Sequence, residues 1–225
     1  CEEAYDLRAT ALAQLNKFDQ ALAACAPDAL RPPPVQLKLR AAWVEAQRGN
    51  VSVAVERAKR ALAEHPDHLD GWKWLADWHL QLNQLDEAIQ AVEHMPRLAP
   101  LDPVPLGYLG ELKARNQDKV GAKAAFVRAF RLDPDYHFAG FKVFRMQLEA
   151  RELTEPKQTL DILARGGHNH DTLACAIEHA CARQATDEAK ELFERLCGDP
   201  KASEWSNSTG ARAMQQSSRG GVVDR

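Results

Sequence analysis

The chain has 225 residues, 45% of them hydrophobic, with 29 Lys and Arg against 32 Asp and Glu for a formal charge of −3. This length permits a substantial core, and the near balance of charge removes any general attraction to nucleic acid or anionic lipid. Aromatics are 7%, and only 12 glycines and 12 prolines interrupt text dominated by alanine, leucine, glutamine and charge, a composition that disfavours strands. No apolar run approaches the ~18–20 residues of a membrane span, and no signal-peptide pattern opens the chain. Five cysteines (1, 25, 175, 181, 197) form an unclustered set without a CxxC pair. Four of them sit in alanine- and leucine-rich helical text, so buried thiols in a reducing, cytoplasmic setting are expected rather than disulfides.

Pro66, Pro100 and Pro134 lie 34 residues apart, Ala54, Ala88 and Ala122 keep the same step, and so do Ala42, Ala76 and Gly110. A fixed period in this range predicts a solenoid whose units bury their apolar faces against their neighbours. In chain order the units are residues 2–34, 35–68, 69–102, 103–136, 137–167 and 171–197, each one a helix pair. The first carries Phe18-x2-Ala21-x3-Cys25, and its Gln14-Leu15-Asn16-Lys17-Phe18-Asp19 echoes Gln81-Leu82-Asn83-Gln84-Leu85-Asp86. Places 1 to 34 are counted from Val35, Leu69, Pro103 and His137. The unit beginning at Leu69 reads Trp72-x2-Leu75-Ala76-x2-His79, then Ala88-x3-Val92, then Pro100; the next reads Leu109-Gly110, Ala122-x3-Phe126, Ala129 and Pro134. Pro96 falls inside a second helix, which is expected to end or kink near Met95. The unit from His137 departs from the pattern, with Phe144 at the small-residue place 8 and Pro156 at place 20. The last unit recovers Ala189-x3-Phe193. Residues 198–225 are serine- and glycine-rich, and read as a polar linker or C-terminal capping segment with at most a short helix at 211–216.

The spacing has a steric cause. Two antiparallel helices approach closely only where small side chains face each other, which places 8 and 20 supply. A wheel at about 100° per residue turns places 4, 7, 8 and 11 toward the second helix and leaves places 2, 6, 9 and 13 on the opposite side.

These motifs resemble the tetratricopeptide repeat, W-x2-L-G-x2-Y…A-x3-F…P over about 34 residues, most specifically across residues 35–136. The resemblance implies an all-α, right-handed superhelical solenoid of about five to six antiparallel helix pairs. It also implies a concave groove lined by places 2, 6, 9 and 13. The large aromatics there, Trp43, Trp74 and Tyr108, are candidate anchors for a partner. Asp70, Asp77 and Glu111 lie toward the middle of the face and Arg115, Lys142 and Arg145 further along, an order suited to fixing the direction of a bound chain. Trp72 and Trp78 occupy core and inter-repeat places and are expected to be structural. The family's grip on a C-terminal carboxylate uses Lys and Asn, whereas this chain has Leu39 and Trp43 at those places.

The expected function is therefore a non-catalytic protein–protein interaction module that takes a protein or peptide partner. Neither nucleic acid nor membrane is expected as a partner, and the expected state is a monomer or weak homo-oligomer. No phosphate-cradling glycine loop, GxSxG or HExxH occurs. His168-x-His170 with Cys175 and His179 matches no tight zinc spacing, and the text around them reads as a loop before a helix capped by Asp171, so no metal or cofactor is expected. The chain opens at Cys1 and closes at Val222-Val223-Asp224-Arg225, which suggests a segment of a longer, bacterial-type protein. The alternative function is thus the accessory, substrate-recruiting region of a glycosyl-, methyl- or sulfotransferase-type enzyme.

Overall fold

A computed structural model describes residues 1–151, 155–165, 169–200 and 202–220. Among these residues there are thirteen α-helices and no strand. Two compact units divide the chain between Asp118 and Lys119. The first holds α1 (Glu2–Gln14), α2 (Phe18–Ala24), α3 (Val35–Gln47), α4 (Val51–Glu64), α5 (Leu69–Gln81), α6 (Leu85–Leu98) and α7 (Val104–Arg115). The second holds α8 (Lys119–Leu132), α9 (His137–Glu149), α10 (Glu155–Arg165), α11 (Asn169–Ala182), α12 (Thr186–Cys197) and α13 (Glu204–Gly220).

Within the first unit α1 packs on α2, α3 on α4 and α5 on α6; α1 and α2 pack on α3, α4 on α5 and α6 on α7. The small residues make this possible. Ala42, Ala54, Ala76 and Ala88 are all 0% exposed, so no larger side chain holds the paired helices apart. Gly71 extends the same device. A Cβ there would lie 2.8 Å from Leu62 Cδ2 and 2.9 Å from Leu39 Cδ1, and both leucines are buried. The second helices α4, α6 and α8 end two residues before Pro66, Pro100 and Pro134, where the ring restricts the preceding residue. The expected end near Met95 is not observed, because α6 runs on through Pro96 to Leu98. Pro96 falls in the last turn, where its missing N–H removes a single bond, and Ala99 N–H still closes on the Met95 carbonyl.

A second 34-residue rhythm lies in the backbone. Asn16, Gly49, Asn83, Gln117, Arg151 and Gln184 all take left-handed φ, from 56° to 94°, in the turn that follows a first helix. In five of these turns the next residue's N–H reaches back to the helix, as in Gln84 to His79 O (2.8 Å) and Asp118 to Lys113 O (2.9 Å). This is the Schellman closure, which favours glycine at the left-handed position. Gln117→Gly and Gln184→Gly should therefore each raise stability by about 1 kcal/mol, read as a higher urea midpoint at unchanged slope. Asn83→Gly should gain less, because asparagine tolerates this conformation.

In the second unit α8 packs on α9, α9 on α10, α10 on α11 and α11 on α12, while α13 covers α11 and α12. The irregular text at 137–167 has a local solution. Helix α10 begins only at Glu155, so Pro156 lies in its first turn, where proline is tolerated. Phe144 is fully buried with Leu160 and Cys175. The close approach moves to Gly140, whose Cβ would meet Leu163 Cδ2 and Phe130 Cε2 at 2.7 Å.

The serine-rich tail is helical over 204–220, well beyond the short helix expected at 211–216. Its small residues are what allow it to dock. Ser206 and Thr209 are buried, and a Cβ on Gly210 would sit 3.1 Å from Leu196 and 3.2 Å from Ile177. Asp171 is not a helix cap, since α11 starts at Asn169. Its carboxylate instead accepts a 2.7 Å hydrogen bond from Ser206 Oγ, which ties α13 to the first turn of α11.

Candidate functional site

Places 6 and 9 of the first helices form a ladder in the first unit. Asp6, Arg40, Trp74 and Tyr108 are successive place-6 residues on α1, α3, α5 and α7, while Trp43 and Asp77 are place-9 residues on α3 and α5. Arg40 donates to both carboxylate oxygens of Asp6, at 2.7 Å from Nε and 2.9 Å from Nη2. The Arg40 and Asp6 side chains are only 14% and 15% exposed. The same guanidinium lies over two indoles, 5.0 Å from the centroid of Trp43 and 5.4 Å from that of Trp74, within cation–π range. One step along, Tyr108 Oη donates a 2.7 Å hydrogen bond to Asp77 Oδ1. Burial, followed by the Asp77 carboxylate, pushes the Tyr108 hydroxyl well above its ordinary range, so it remains a donor at physiological pH.

The expected anchors Trp43, Trp74 and Tyr108 are half-buried, with Trp43 also packed on the core of the first two helix pairs. Asp70 is exposed in the first turn of α5 and Arg115 is exposed in the last turn of α7. Both signs complement the dipole of their helix. Glu111 is half-buried one turn before Arg115. Lys142 and Arg145 belong to the second unit. Lys142 Nζ stands 5.2 Å from the ring centroid of Phe138 and 5.9 Å from that of Phe126. Arg145 pairs with Glu178 at 3.5 Å, and burial raises the Glu178 carboxyl. Trp72 stacks on His94, with centroids 3.9 Å apart, and donates from Nε1 to the Pro66 carbonyl at 2.8 Å. Trp78 is 4% exposed. Leu39, at a place where the family's carboxylate grip needs a polar side chain, is 0% exposed.

Arg40 falls in the place-6 column expected to line the groove, without standing out as an anchor, and Asp6 is not marked by type or motif. The signal was present, because the column 40, 74, 108 extends one unit back to Asp6. Cys1, Cys25, Cys175 and Cys197 are free thiols. Burial pushes the Cys25 thiol up to about 12 and also raises Cys175, so both stay protonated and unreactive at neutral pH. Among the described residues no group of three His, Cys, Asp or Glu side chains is placed to hold a metal ion. His168 of the His168-x-His170 pair lies outside the described residues, while His170 Nε2 is 2.6 Å from Asp199 Oδ2. Among the described residues no helix is long and apolar enough to cross a membrane.

Helix pairs at a 34-residue step, with small residues at their crossings, are joined by a family comparison. Residues 45–106 match the tetratricopeptide-repeat family model. Residues 45–106 thus carry tetratricopeptide-repeat sequence. Solved tetratricopeptide-repeat structures share the fold. The C-terminal part of a TPR repeat-containing protein from Cytophaga hutchinsonii is 18% identical with a TM-score of 0.69, covering 93% of this chain and 87% of its own. PilF of Pseudomonas aeruginosa is 19% identical with a TM-score of 0.61 and 97% coverage of both chains. MamA of Desulfovibrio magneticus is 16% identical with a TM-score of 0.53, covering 74% of this chain and 97% of its own. No curated protein matches the chain. Tetratricopeptide repeats are an interaction architecture, in which stacked pairs present an extended face to another protein.

Proposed function

We propose that this tetratricopeptide-repeat chain is a non-catalytic interaction module that holds a protein or peptide partner on the first-helix face of residues 1–118. One observation carries the reading. Trp43, Trp74 and Tyr108 stand on one face in partly exposed positions, held in place by Arg40 and Asp77, with Trp43 also resting on the core. Rigid aromatics held this way lose little entropy on binding, and interface energy concentrates on such residues. Asp70, Glu111 and Arg115 frame them with charge, which favours register and encounter more than affinity.

The test uses crosslinking and mass spectrometry on the chain expressed in its own host, comparing wild type with Trp74→Ala/Tyr108→Ala. The double variant should keep its helical circular dichroism, lose about 2 kcal/mol of stability through lost packing and one hydrogen bond, and lose the crosslinks made through α3, α5 and α7. If crosslinks on those helices persist unchanged, the partner binds elsewhere.

A further inference from the structure

The ladder on residues 1–118 solves the same recognition problem twice and completes only one of the two solutions. At the first step, a guanidinium is gripped edge-on by the Asp6 carboxylate at 2.7 and 2.9 Å, with the Trp43 and Trp74 rings at 5.0 and 5.4 Å. The cation is Arg40, supplied by the chain. At the next step Asp77, a place-9 residue, follows the place-6 Trp74 by one turn of α5 and meets the place-6 Tyr108 of α7. Tyr108 Oη occupies one Asp77 oxygen. Here the chain has an indole, a phenol and a carboxylate, but among the described residues no cation pairs with Asp77: place 6 of α5, where α3 has Arg40, is itself Trp74.

We infer that the Trp74–Asp77–Tyr108 corner receives an arginine side chain from the partner, so the bound segment is basic where it crosses α5 and α7. This deepens the proposed function and rests on it. The chemistry is that of the internal pair. A guanidinium is planar, weakly hydrated and able both to stack on an aromatic face and to donate to a carboxylate in its own plane. Tyr108 contributes twice. Its hydroxyl fixes the Asp77 rotamer, and because burial and Asp77 hold that hydroxyl protonated, it keeps donating and leaves Asp77 as the negative centre. Asp70, exposed and two turns before Asp77 on the same helix, adds negative charge, while Arg40 neighbours Trp74 and Arg115 neighbours Tyr108. Lysine fits less well, since a compact ammonium cannot stack and bridge at once.

The probe is a capped Gly-Ser peptide bearing one arginine, titrated into the intact chain at millimolar concentration, with the same peptide bearing glutamine, lysine or glutamate as controls. Binding is read by the indole Nε1–H resonance of Trp74, identified through Trp74→Phe. The arginine peptide should shift that resonance, and glutamine and glutamate should not. Asp77→Asn, which still accepts from Tyr108, should weaken binding roughly tenfold or more. Added salt should weaken it too. No shift with arginine, an equal shift with glutamine, or an unchanged affinity in Asp77→Asn overturns the inference. A glutamine or glutamate peptide that binds and is lost in Trp74→Ala overturns the arginine assignment while leaving the binding face intact. Retained crosslinks in Trp74→Ala/Tyr108→Ala are a separate result and remove the face itself.

Discussion

Phe144→Ala is expected to destabilise the second unit by about 3–5 kcal/mol, although the repeat pattern makes alanine the regular residue at that place. Phe144 is 0% exposed and is surrounded by Phe141, Leu148, Leu160, Cys175 and Ala176. Its ring fills space that a regular unit would close by bringing the two helices together at alanines. That closure is not open to this unit, because α10 begins at Glu155 with Pro156 in its first turn, and the near contact is made at Gly140 instead. Truncation therefore leaves a cavity that the helices cannot collapse to fill. Phe144→Leu keeps most of the volume and should cost about 1 kcal/mol. Urea denaturation followed by circular dichroism measures both, and a Phe144→Ala loss below that of Phe144→Leu would mean the unit had reverted to the regular crossing.

Arg40→Ala carries the second large effect, about 2–3 kcal/mol, toward the lower end of what breaking a buried pair costs because both side chains keep some exposure. Three losses coincide. Asp6 keeps a carboxylate in a largely dry site, Trp43 and Trp74 lose the cation over their faces, and the aliphatic stem no longer packs. Arg40→Met restores the stem alone and should recover part of the loss. Arg40→Met with Asp6→Leu removes both charges and should approach wild-type stability, because the desolvation cost disappears with the pair. The effect should depend little on salt, in contrast to the exposed Arg48–Asp19 pair. A double variant no better than Arg40→Ala would show that packing, rather than the stranded carboxylate, is the main term.

Much of the first unit is legible in the text. The alanines at places 8 and 20, the prolines two residues past the second helices and the burial of Trp78 follow from a repeat, since each unit meets the same neighbours in the same geometry. The left-handed turns at Asn16, Asn83, Gln117, Arg151 and Gln184 are not legible in it, because only one of the six turns marks the position with glycine. The candidate site divides in the same way. Trp43, Trp74, Asp77 and Tyr108 stand out by type and place, but Asp6 looks like any acidic residue in a first helix until its distance to Arg40 is known.

What the sequence determined by itself is the periodic part: an all-α chain of helix pairs crossing at small residues, because period and side-chain volume are local quantities that recur every 34 residues. Tertiary structure alone decided the irregular parts. The serine-rich tail is a helix because Ser206, Thr209 and Gly210 let it lie close on α11, a contact its weak intrinsic propensity does not announce. Arg40 is tied down rather than left in solvent because Asp6, 34 residues away, accepts from its guanidinium. Pairings across neighbouring units depend on distance and burial, and neither is written in any single repeat.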